Sequence, residues 1–401
     1  ITASAGTSNF RAGVNAGNSI ASGGNYNTVV GDEAGTAITT GDSNVAIGFA
    51  TLANEDAHGL NVAIGRAALN TLNAGADGYN VAVGAEAGAL MTTGIQNTLV
   101  GGLAGDAITT ASQNTAVGYN ALTATTTGAA NTAVGFEALD ANTTAANNVG
   151  IGWRALYANT TGAQNVGVGA QTLDANTTAS NNTSIGFQSL TTNTTGSSNT
   201  AVGQSALSTN STGASNTAIG RQALIANTTA SENTAVGYQA LYANTTGPSN
   251  TAMGVLALDA NTTGGSNVAV GASALGASTT ASNNTALGQA ALLANTTGSY
   301  NTAVGRAAGL SVTTGVSNTL IGGLAGDALT DADYNVAVGF SALSTSVLGS
   351  RSTAIGHEAL KFENPASATD MYNTAVGFNA GNVITTGVEN TLIGGLAGDA
   401  I

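Results

Sequence analysis

Short apolar runs recur along this chain at a fixed interval of seventeen residues. Residues 131–198 show the unit clearly, as NTAVGFEALDANTTAAN, NVGIGWRALYANTTGAQ, NVGVGAQTLDANTTASN and NTSIGFQSLTTNTTGSS in succession. Laid over residues 9–401, the unit occurs twenty-three times, and its last copy is incomplete. A regular array of this period is typical of a solenoid, in which each repeat forms one coil and stacks on its neighbours.

We number positions within the unit from its first residue, position 0, which is Asn in every copy except that of Ser352. Position 4 is Gly in every copy, directly after a short apolar run. This Gly indicates a strand that ends in a turn with positive φ or with close backbone approach. Position 3 is aliphatic in every copy but the first, where it is Ala12, and the pattern predicts that position 3 lines the dry interior.

A second apolar position completes each coil. Position 8 is Leu in fifteen copies and Gly in eight, and in those eight copies position 11 becomes aliphatic. The eight pairs are Gly17 with Ile20, Gly35 with Ile38, Gly88 with Met91, Gly105 with Ile108, Gly309 with Val312, Gly326 with Leu329, Gly381 with Ile384 and Gly398 with Ile401. One large apolar side chain, the plug, is therefore kept in every coil, as a close-packed core requires.

The unit predicts two short strands, TAVG and a segment around position 8, separated by turns of which NTTG is the longer. Strand alternation places position 2, mostly Ala, Gly or Ser, on the face opposite position 3. This small-residue face is either exposed to solvent or lets identical chains approach closely, and we favour a bundle of three chains. Coils stacked at about 4.8 Å predict a rod roughly 110 Å long, with the Asn column forming a hydrogen-bonded ladder.

Composition narrows the classes of function. The net charge of −14 and the absence of a basic stripe argue against a nucleic-acid partner. The chain has no Cys, which excludes a disulfide scaffold and a Cys-based metal site. No apolar run approaches the length of a membrane span and no signal peptide is present, so we expect no membrane insertion of this segment.

The NTAVG and NTAIG strands resemble the head repeats of YadA-like trimeric autotransporter adhesins, and similar arrays occur in phage tail fibres and large bacterial surface proteins. The resemblance covers nearly the whole chain, although this unit is longer by its NTT turn. It implies an all-β fold, a left-handed parallel β-roll or β-solenoid assembled as a parallel homotrimer, with the trimer held by the small inner face.

The organisation predicted from these patterns is one continuous solenoid over residues 1–401. Three coils are irregular, at residues 9–26, 61–79 and 352–372. A two-coil signature ending in GGLAGDA carries Leu99, Leu320 or Leu392 at position 2, and we expect its Gly-Gly pair to supply the space for that Leu. The chain ends on GDAI and starts with a segment similar to the continuation of that coil, so we expect a window of a longer array.

Candidate chemistry is sparse. His58 and His357 are far apart and the acids are dispersed, so we predict no catalytic site, no cofactor and no metal. Asp106, Asp327 and Asp399 lie in the signature coils, where calcium binding is a minor alternative to a turn role.

Two surface features remain candidates for binding. Aromatic residues that follow the turn glycine form a possible contact row for a glycan or cell-surface ligand: Phe49, Tyr119, Phe136, Trp153, Phe187, Tyr238, Phe340 and Phe378, with Arg66, Arg221 and Arg306. The alternative for these residues is a packed turn or trimer interface. Nine turns carry the glycosylation sequon, which is otherwise ordinary turn chemistry: Asn142, Asn159, Asn176, Asn193, Asn210, Asn227, Asn244, Asn261 and Asn295.

Together these patterns predict a fibre located outside the cell or on a virion: an adhesive shaft or head that assembles with itself and attaches to surfaces. A phage tail fibre shaft for host recognition is the alternative. An ice-binding solenoid is a third function, which requires flat Thr arrays, whereas the Thr pairs of this unit lie in turns.

Overall fold

The computed structural model describes residues 6–399 and is a parallel β-solenoid with coils of about seventeen residues, which confirms the predicted fold class. No helix occurs within residues 6–399. The chain divides into two compact units, Ile1–Asn199 and Thr200–Ile401. A single continuous solenoid stays a prediction, and each unit is described by itself.

The first unit contains eleven strands of three residues, one for each coil: β1 (Phe10–Ala12), β2 (Thr28–Val30), β3 (Val45–Ile47), β4 (Val62–Ile64), β5 (Val81–Val83), β6 (Thr98–Val100), β7 (Thr115–Val117), β8 (Thr132–Val134), β9 (Val149–Ile151), β10 (Val166–Val168) and β11 (Thr183–Ile185).

The second unit contains twelve such strands and two shorter ones: β12 (Thr200–Val202), β13 (Thr217–Ile219), β14 (Thr234–Val236), β15 (Thr251–Met253), β16 (Val268–Val270), β17 (Thr285–Leu287), β18 (Thr302–Val304), β19 (Thr319–Ile321), β20 (Val336–Val338), β21 (Gly349–Ser350), β22 (Thr353–Ile355), β23 (Thr369–Asp370), β24 (Thr374–Val376) and β25 (Thr391–Ile393).

Neighbouring coils pair in parallel and in register, so that each position lies beside the same position of the next coil. In the first unit, Val134 of β8 pairs with Ile151 of β9. The register survives the long coil at 352–372, where Thr353 of β22 pairs with Thr374 of β24. That coil also contains β23, which pairs with β21 outside the main sheet.

The strand predicted around position 8 does not form in the regular coils of the described chain. Positions 6 and 8 adopt left-handed backbone angles, as at Glu137 and Leu139, each with a φ of 53°. Residues in this conformation cannot continue a strand, so the segment forms turns whose N–H groups bond to the next coil, as from Leu139 to Ala155 O at 3.0 Å. The turn glycine has the predicted positive φ, 139° at Gly135.

The strand faces are the reverse of those predicted. Position 2 lies inside the coil, and Ala133, Ala201 and Ala303 are fully buried. Position 3 points outward, and Ile219 is 40% and Met253 44% exposed. The prediction that position 3 lines the interior is therefore wrong, and so are both surface interpretations of position 2. The cause is space, because the narrow coil holds Ala from the strand and leaves its remaining volume to the plug.

The plug prediction is confirmed by both coil designs. The Leu plugs are fully buried, and so are Ile38, Met91, Ile108, Val312 and Leu329. Ile20 and Ile384 are 5% and 9% exposed. Ile401 lies outside the described residues.

The large residue at position 2 of the signature coils occupies space left by two position 8 glycines. A Cβ on Gly88 would lie 2.8 Å from Leu99 Cδ1, and one on Gly105 would lie 2.9 Å from Leu99 Cδ2. In the second unit, Cβ atoms on Gly309 and Gly326 would each lie 2.7 Å from Leu320. As predicted, glycines supply the space for the large Leu at position 2. They are the glycines at position 8, however, and not the Gly-Gly pair of the turn.

The predicted Asn ladder forms at position 0. The backbone N–H of Asn148 donates to Asn131 Oδ1 at 2.9 Å, and Asn148 Nδ2 donates to Gly162 O at 2.9 Å. A second ladder runs along position 11, where Asn159 Nδ2 donates to Asn142 Oδ1 at 3.0 Å and also to Gly162 O at 2.9 Å. Two buried ladders thus converge on one turn carbonyl, which satisfies polar groups that have no access to water.

Candidate functional surface

The outward side of the strands is an uncharged face in both units. Position 1 is Thr or Val in every copy except Phe10, and position 3 is Ala in one copy and Val, Ile, Leu or Met in the others. Positions 1 and 3 hold no charged residue in any of the twenty-three copies. We call this surface the outer strand face. The absence of charged residues from positions 1 and 3 in every copy could have identified this face from the sequence. A surface that contacts only water does not require such an absence.

The outer strand face has an area large enough to form part of an interface between chains. Eleven or twelve strands at about 4.8 Å spacing, each rising about 10 Å over three residues, give roughly 500 Å² in each unit. That area, to which the Thr hydroxyls of position 1 also contribute, is comparable with the larger surface patches of a typical monomer, and each of the two units has such a face.

The predicted contact row at position 5 lies on the surface. Its eight aromatic residues are between 41% exposed, at Tyr238, and 57% exposed, at Phe378. Several of their rings stack from coil to coil. The Tyr119 and Phe136 ring centres are 5.8 Å apart, and His357 lies between Phe340 and Phe378 at 5.5 and 5.3 Å.

Stacking of the rings determines which ring surfaces of the contact row a ligand could touch. Because stacked rings cover one another's faces, the stacked members of the row, Tyr119 with Phe136 and Phe340 and Phe378 with His357, present mainly ring edges outward. Of the accompanying arginines, Arg221 lies over the Tyr238 ring at 5.8 Å and Arg66 forms an ion pair with Glu86. Exposure of the row is shown by the structure, and its role in binding stays a prediction.

The nine sequon asparagines are interior residues of the folded chain. Each is fully buried. Each Nδ2 donates a hydrogen bond, as that of Asn176 does to Asn159 Oδ1 at 2.8 Å and that of Asn295 to Gly298 O at 2.8 Å. A glycan on Nδ2 is incompatible with this packing, so the interpretation of these residues as glycosylation sites is wrong for the folded protein. The sequence could have shown that these asparagines are buried, because position 11 holds the apolar plug in the copies with Gly at position 8.

The acids of the signature coils do not converge on a site. Asp106 Oδ1 accepts a hydrogen bond from Thr123 Oγ1 at 2.9 Å. Burial raises the pKa of Asp106 and that of Asp327. Among the described residues, neither these two nor Asp399 belongs to a group of three potential metal ligands. His58 and His357 lie in different units.

The single exception in the Asn column is explained by a buried acid. Ser352 Oγ donates to both carboxylate oxygens of Glu363 at 2.9 Å, and Asn373 Nδ2 donates to Glu363 Oε2 at 2.9 Å. Glu363 occupies position 11 and is fully buried. The longer Glu side chain thus reaches the space that the missing Asn side chain leaves.

Glu363 makes folding depend on pH. Burial raises its pKa, partly offset by the hydrogen bonds from Asn373 and Ser352. Because its pKa in the folded state is above the unfolded value, its contribution to stability is full below pH 4.5 and is lost as the pH rises through the folded pKa. We expect Glu363→Gln to stabilise the protein at pH 7 and to flatten the rise in stability on acidification, measured by urea unfolding at several pH values.

Glu358, in the same coil, provides the control of opposite sign. A hydrogen bond from Lys361 lowers the pKa of Glu358. Its contribution is therefore present above pH 4.5 and lost as the pH falls through the lowered pKa, so Glu358→Gln should cost stability at pH 7. Equal pH profiles for the two variants would contradict the assignment.

Comparison of the chain with models of known protein families and with curated protein sequences finds no match. Within residues 6–399, no helix is long and apolar enough to cross a membrane.

Proposed function

We propose that this protein is a structural fibre that assembles with identical chains through its outer strand face and displays an adhesive surface outside the cell. The observation that carries the proposal is the outer strand face itself, which is uncharged over all twenty-three copies. Apolar surface arranged continuously along an ordered sheet is typical of an interface between proteins. The occupant that this face fits is a second copy of the same face.

Charge supports this choice of occupant. The chain has a net charge of −14, and all of its charged residues lie outside positions 1 and 3. Copies of an acidic protein repel one another, and contact through the outer strand face is the arrangement that keeps charges away from the interface core. We propose three parallel chains, as the adhesin resemblance implies, with positions 1 and 3 replacing the small-residue face as the contact.

The contact row supports the adhesive part of the proposal. Position 5 is separated from position 3 only by the turn glycine, so the exposed rings flank the outer strand face. Aromatic residues at the margin of an assembled face are available to a glycan or a cell-surface ligand. A shaft on a virion, with host recognition as its role, has the same requirements and remains the alternative within this class.

A specific observation also favours ice binding as the second candidate. The Thr pairs of the unit lie in turns, but position 1 places a further Thr on the outward side of the strands in fifteen copies. In-register pairing sets these residues in one row, as for Thr200 beside Thr217 and Thr217 beside Thr234. Regularly spaced hydroxyl and methyl groups are the chemistry that such a function needs.

The two functions differ in the state of the outer strand face, which is covered in a fibre and free in an ice-binding protein. We expect light scattering to give a mass near three times 38.6 kDa for the whole chain. The double variant Val202→Lys with Ile219→Lys should lower that mass, because it buries charge in the interface. Gln204→Lys with Gln222→Lys adds the same charge outside the outer strand face and should keep the assembly.

A monomeric mass for the unmodified chain would overturn the fibre. If that monomer also shows thermal hysteresis that is lost in the double variant at Val202 and Ile219, the second candidate is correct.

A further inference from the structure

One turn of the first unit differs from all its equivalents. In the coil that begins at Asn44, positions 11 to 14 read Glu55, Asp56, Ala57 and His58, where most coils have Thr-Thr at positions 12 and 13. The backbone arrangement is nevertheless the usual one. Asn44 Nδ2 donates to His58 O at 3.1 Å, and Thr39 Oγ1 donates to Asp56 O at 2.9 Å. The fold therefore does not require these side chains, because the same turn forms elsewhere without them.

The three ionisable side chains of this turn converge. One carboxylate oxygen of Glu55, one of Asp56 and a ring nitrogen of His58 all lie within 4.8 Å of one another. Glu55 is fully buried. His58 Nδ1 lies 3.6 Å from Glu55 Oε1, beyond hydrogen-bond distance. This nitrogen is shielded from solvent and has no hydrogen-bond partner among the described residues.

The buried carboxylate of Glu55 is also poorly satisfied. It accepts only long hydrogen bonds, from the backbone N–H of His58 at 3.3 Å and of Ala74 at 3.2 Å. Glu363 occupies the same position in another coil and accepts from two side-chain donors, the Ser352 hydroxyl shared between both carboxylate oxygens and Asn373 Nδ2, all at 2.9 Å. A coil can thus satisfy a buried carboxylate at position 11 with its own donors, and around Glu55 it does not. A cation held between the Glu55 carboxylate and the imidazole would compensate the buried charge, which the 3.6 Å contact of the two side chains does only when His58 is protonated.

The neighbouring coil leaves room beside this turn. The coil at 61–79 is longer than the regular unit by two residues. Its extra segment contains Gly75, which has a φ of 70° and open space where a side chain would lie. Ala74, directly before it, supplies one of the two N–H groups that reach Glu55. The insertion therefore contacts Glu55 through Ala74 and leaves open space at the adjoining Gly75.

We propose that Glu55, Asp56 and His58 form a zinc site, with a carboxylate oxygen from each acid and Nδ1 of His58 as ligands and a water molecule in the fourth position. Imidazole combined with carboxylates suits Zn²⁺ better than Ca²⁺ or Mg²⁺, which prefer oxygen alone. Zinc lies about 2.0–2.2 Å from such ligands, so side-chain rotations draw the three groups closer together than in the metal-free geometry. The bound ion compensates the buried Glu55 carboxylate, which also accepts the N–H of Ala74 from the adjacent insertion, and so stabilises the first unit.

The composition of the chain makes the test unusually clean. It has two His and no Cys, so few other groups bind zinc. Protein made without an oligohistidine tag is dialysed against ZnCl₂, and bound metal is measured by mass spectrometry. We expect one zinc per chain, and affinity that falls at lower pH because protons compete with the metal for the ligand atoms.

Matched variants separate the site from general effects. His58→Gln and Glu55→Gln should each weaken zinc binding by more than about 100-fold, because loss of a group that only orients a ligand already costs about 10- to 100-fold. His357→Gln removes the other His, and Glu363→Gln changes the equivalent buried acid, so both should bind zinc as the unmodified chain does. Substitution by Co²⁺ should produce the intense visible absorption of a tetrahedral site, which a fold defect alone does not create.

The proposal is overturned if the unmodified chain keeps less than one tenth of an equivalent of zinc at micromolar metal, or if His58→Gln retains full binding. Loss of binding in His357→Gln would place the metal elsewhere and overturn it as well. Variant folding is checked by circular dichroism in the absence of metal. A variant that is folded and does not bind zinc supports the site.

Discussion

Replacement of Gly101 by Ala is expected to destabilise the first unit by about 3 kcal/mol or more, the combined cost of an unfavourable backbone region and overpacking. Gly101 has a φ of 142°. A Cβ at this residue would lie 2.3 Å from Gly118 O and 2.6 Å from its carbonyl carbon, so the backbone of the next coil would have to move. Because the same contact with the next coil recurs at neighbouring turn glycines such as Gly84 and Gly118, the strain would spread to the neighbouring coils.

The adjacent Gly102 provides a control in the same turn. A Cβ at Gly102 would meet Tyr119 Cδ2 at 3.5 Å, an ordinary contact, and Gly102 has no positive φ. Gly102→Ala should therefore change stability by less than about 0.5 kcal/mol. Unfolding in urea gives the overall effect, and hydrogen exchange of the amides in β6 and β7 gives the local one. Similar losses for the two variants would show that the turn glycine is not required by backbone conformation.

Exchanging the plug between its two positions is expected to show strong coupling. Leu275 is a fully buried plug, and Ser278 occupies position 11 of the same coil. Ser278 Oγ has no hydrogen-bond partner among the described residues, so this coil interrupts the ladder at position 11 and can change there without breaking it. Leu275→Gly should cost about 3–5 kcal/mol through the cavity it creates. Gly is tolerated by the backbone, because Leu275 already has a φ of 53°.

Ser278→Ile alone should also be destabilising, by about 1–3 kcal/mol, since it adds volume to a filled coil. In the double variant, the introduced Ile side chain would occupy the space vacated at position 8, as Ile38 and Ile108 do in the natural Gly coils. The double variant should therefore be more stable than Leu275→Gly alone, with a coupling energy of about 2 kcal/mol. Purely additive losses in a double-mutant cycle by urea unfolding would refute the exchange of plugs.

The predictions from sequence succeeded where the copies could be compared with one another. Twenty-three copies show that position 4 tolerates only Gly and that position 8 or position 11 is always large and apolar. Each regularity corresponds to one local physical demand, a positive φ at Gly135 or a filled volume around Leu139. The Asn ladder was predictable for the same reason, because in-register stacking places identical side chains beside one another.

The candidate sites were predictable only in part. Exposure of the contact row followed from its variable composition beside a strict Gly. The residues of the proposed zinc site were missed because Glu55, Asp56 and His58 replace ordinary turn residues, and their significance depends on which atoms are buried. The sequons were misjudged because NTT resembles a surface turn, whereas its Asn lies in the interior.

The sequence by itself determined the period, the parallel register, the turn glycine and the requirement for one plug in each coil. Only the tertiary structure decided which side of the strand faces inward. Strand alternation places positions 2 and 3 on opposite faces of the strand but does not determine which face lies inside. Hydrophobicity alone would place the larger residue, at position 3, in the core. The width of the coil decides otherwise, since Ala133 fits beside Leu139 inside it while Val134 remains on the outer strand face, where assembly is proposed to occur.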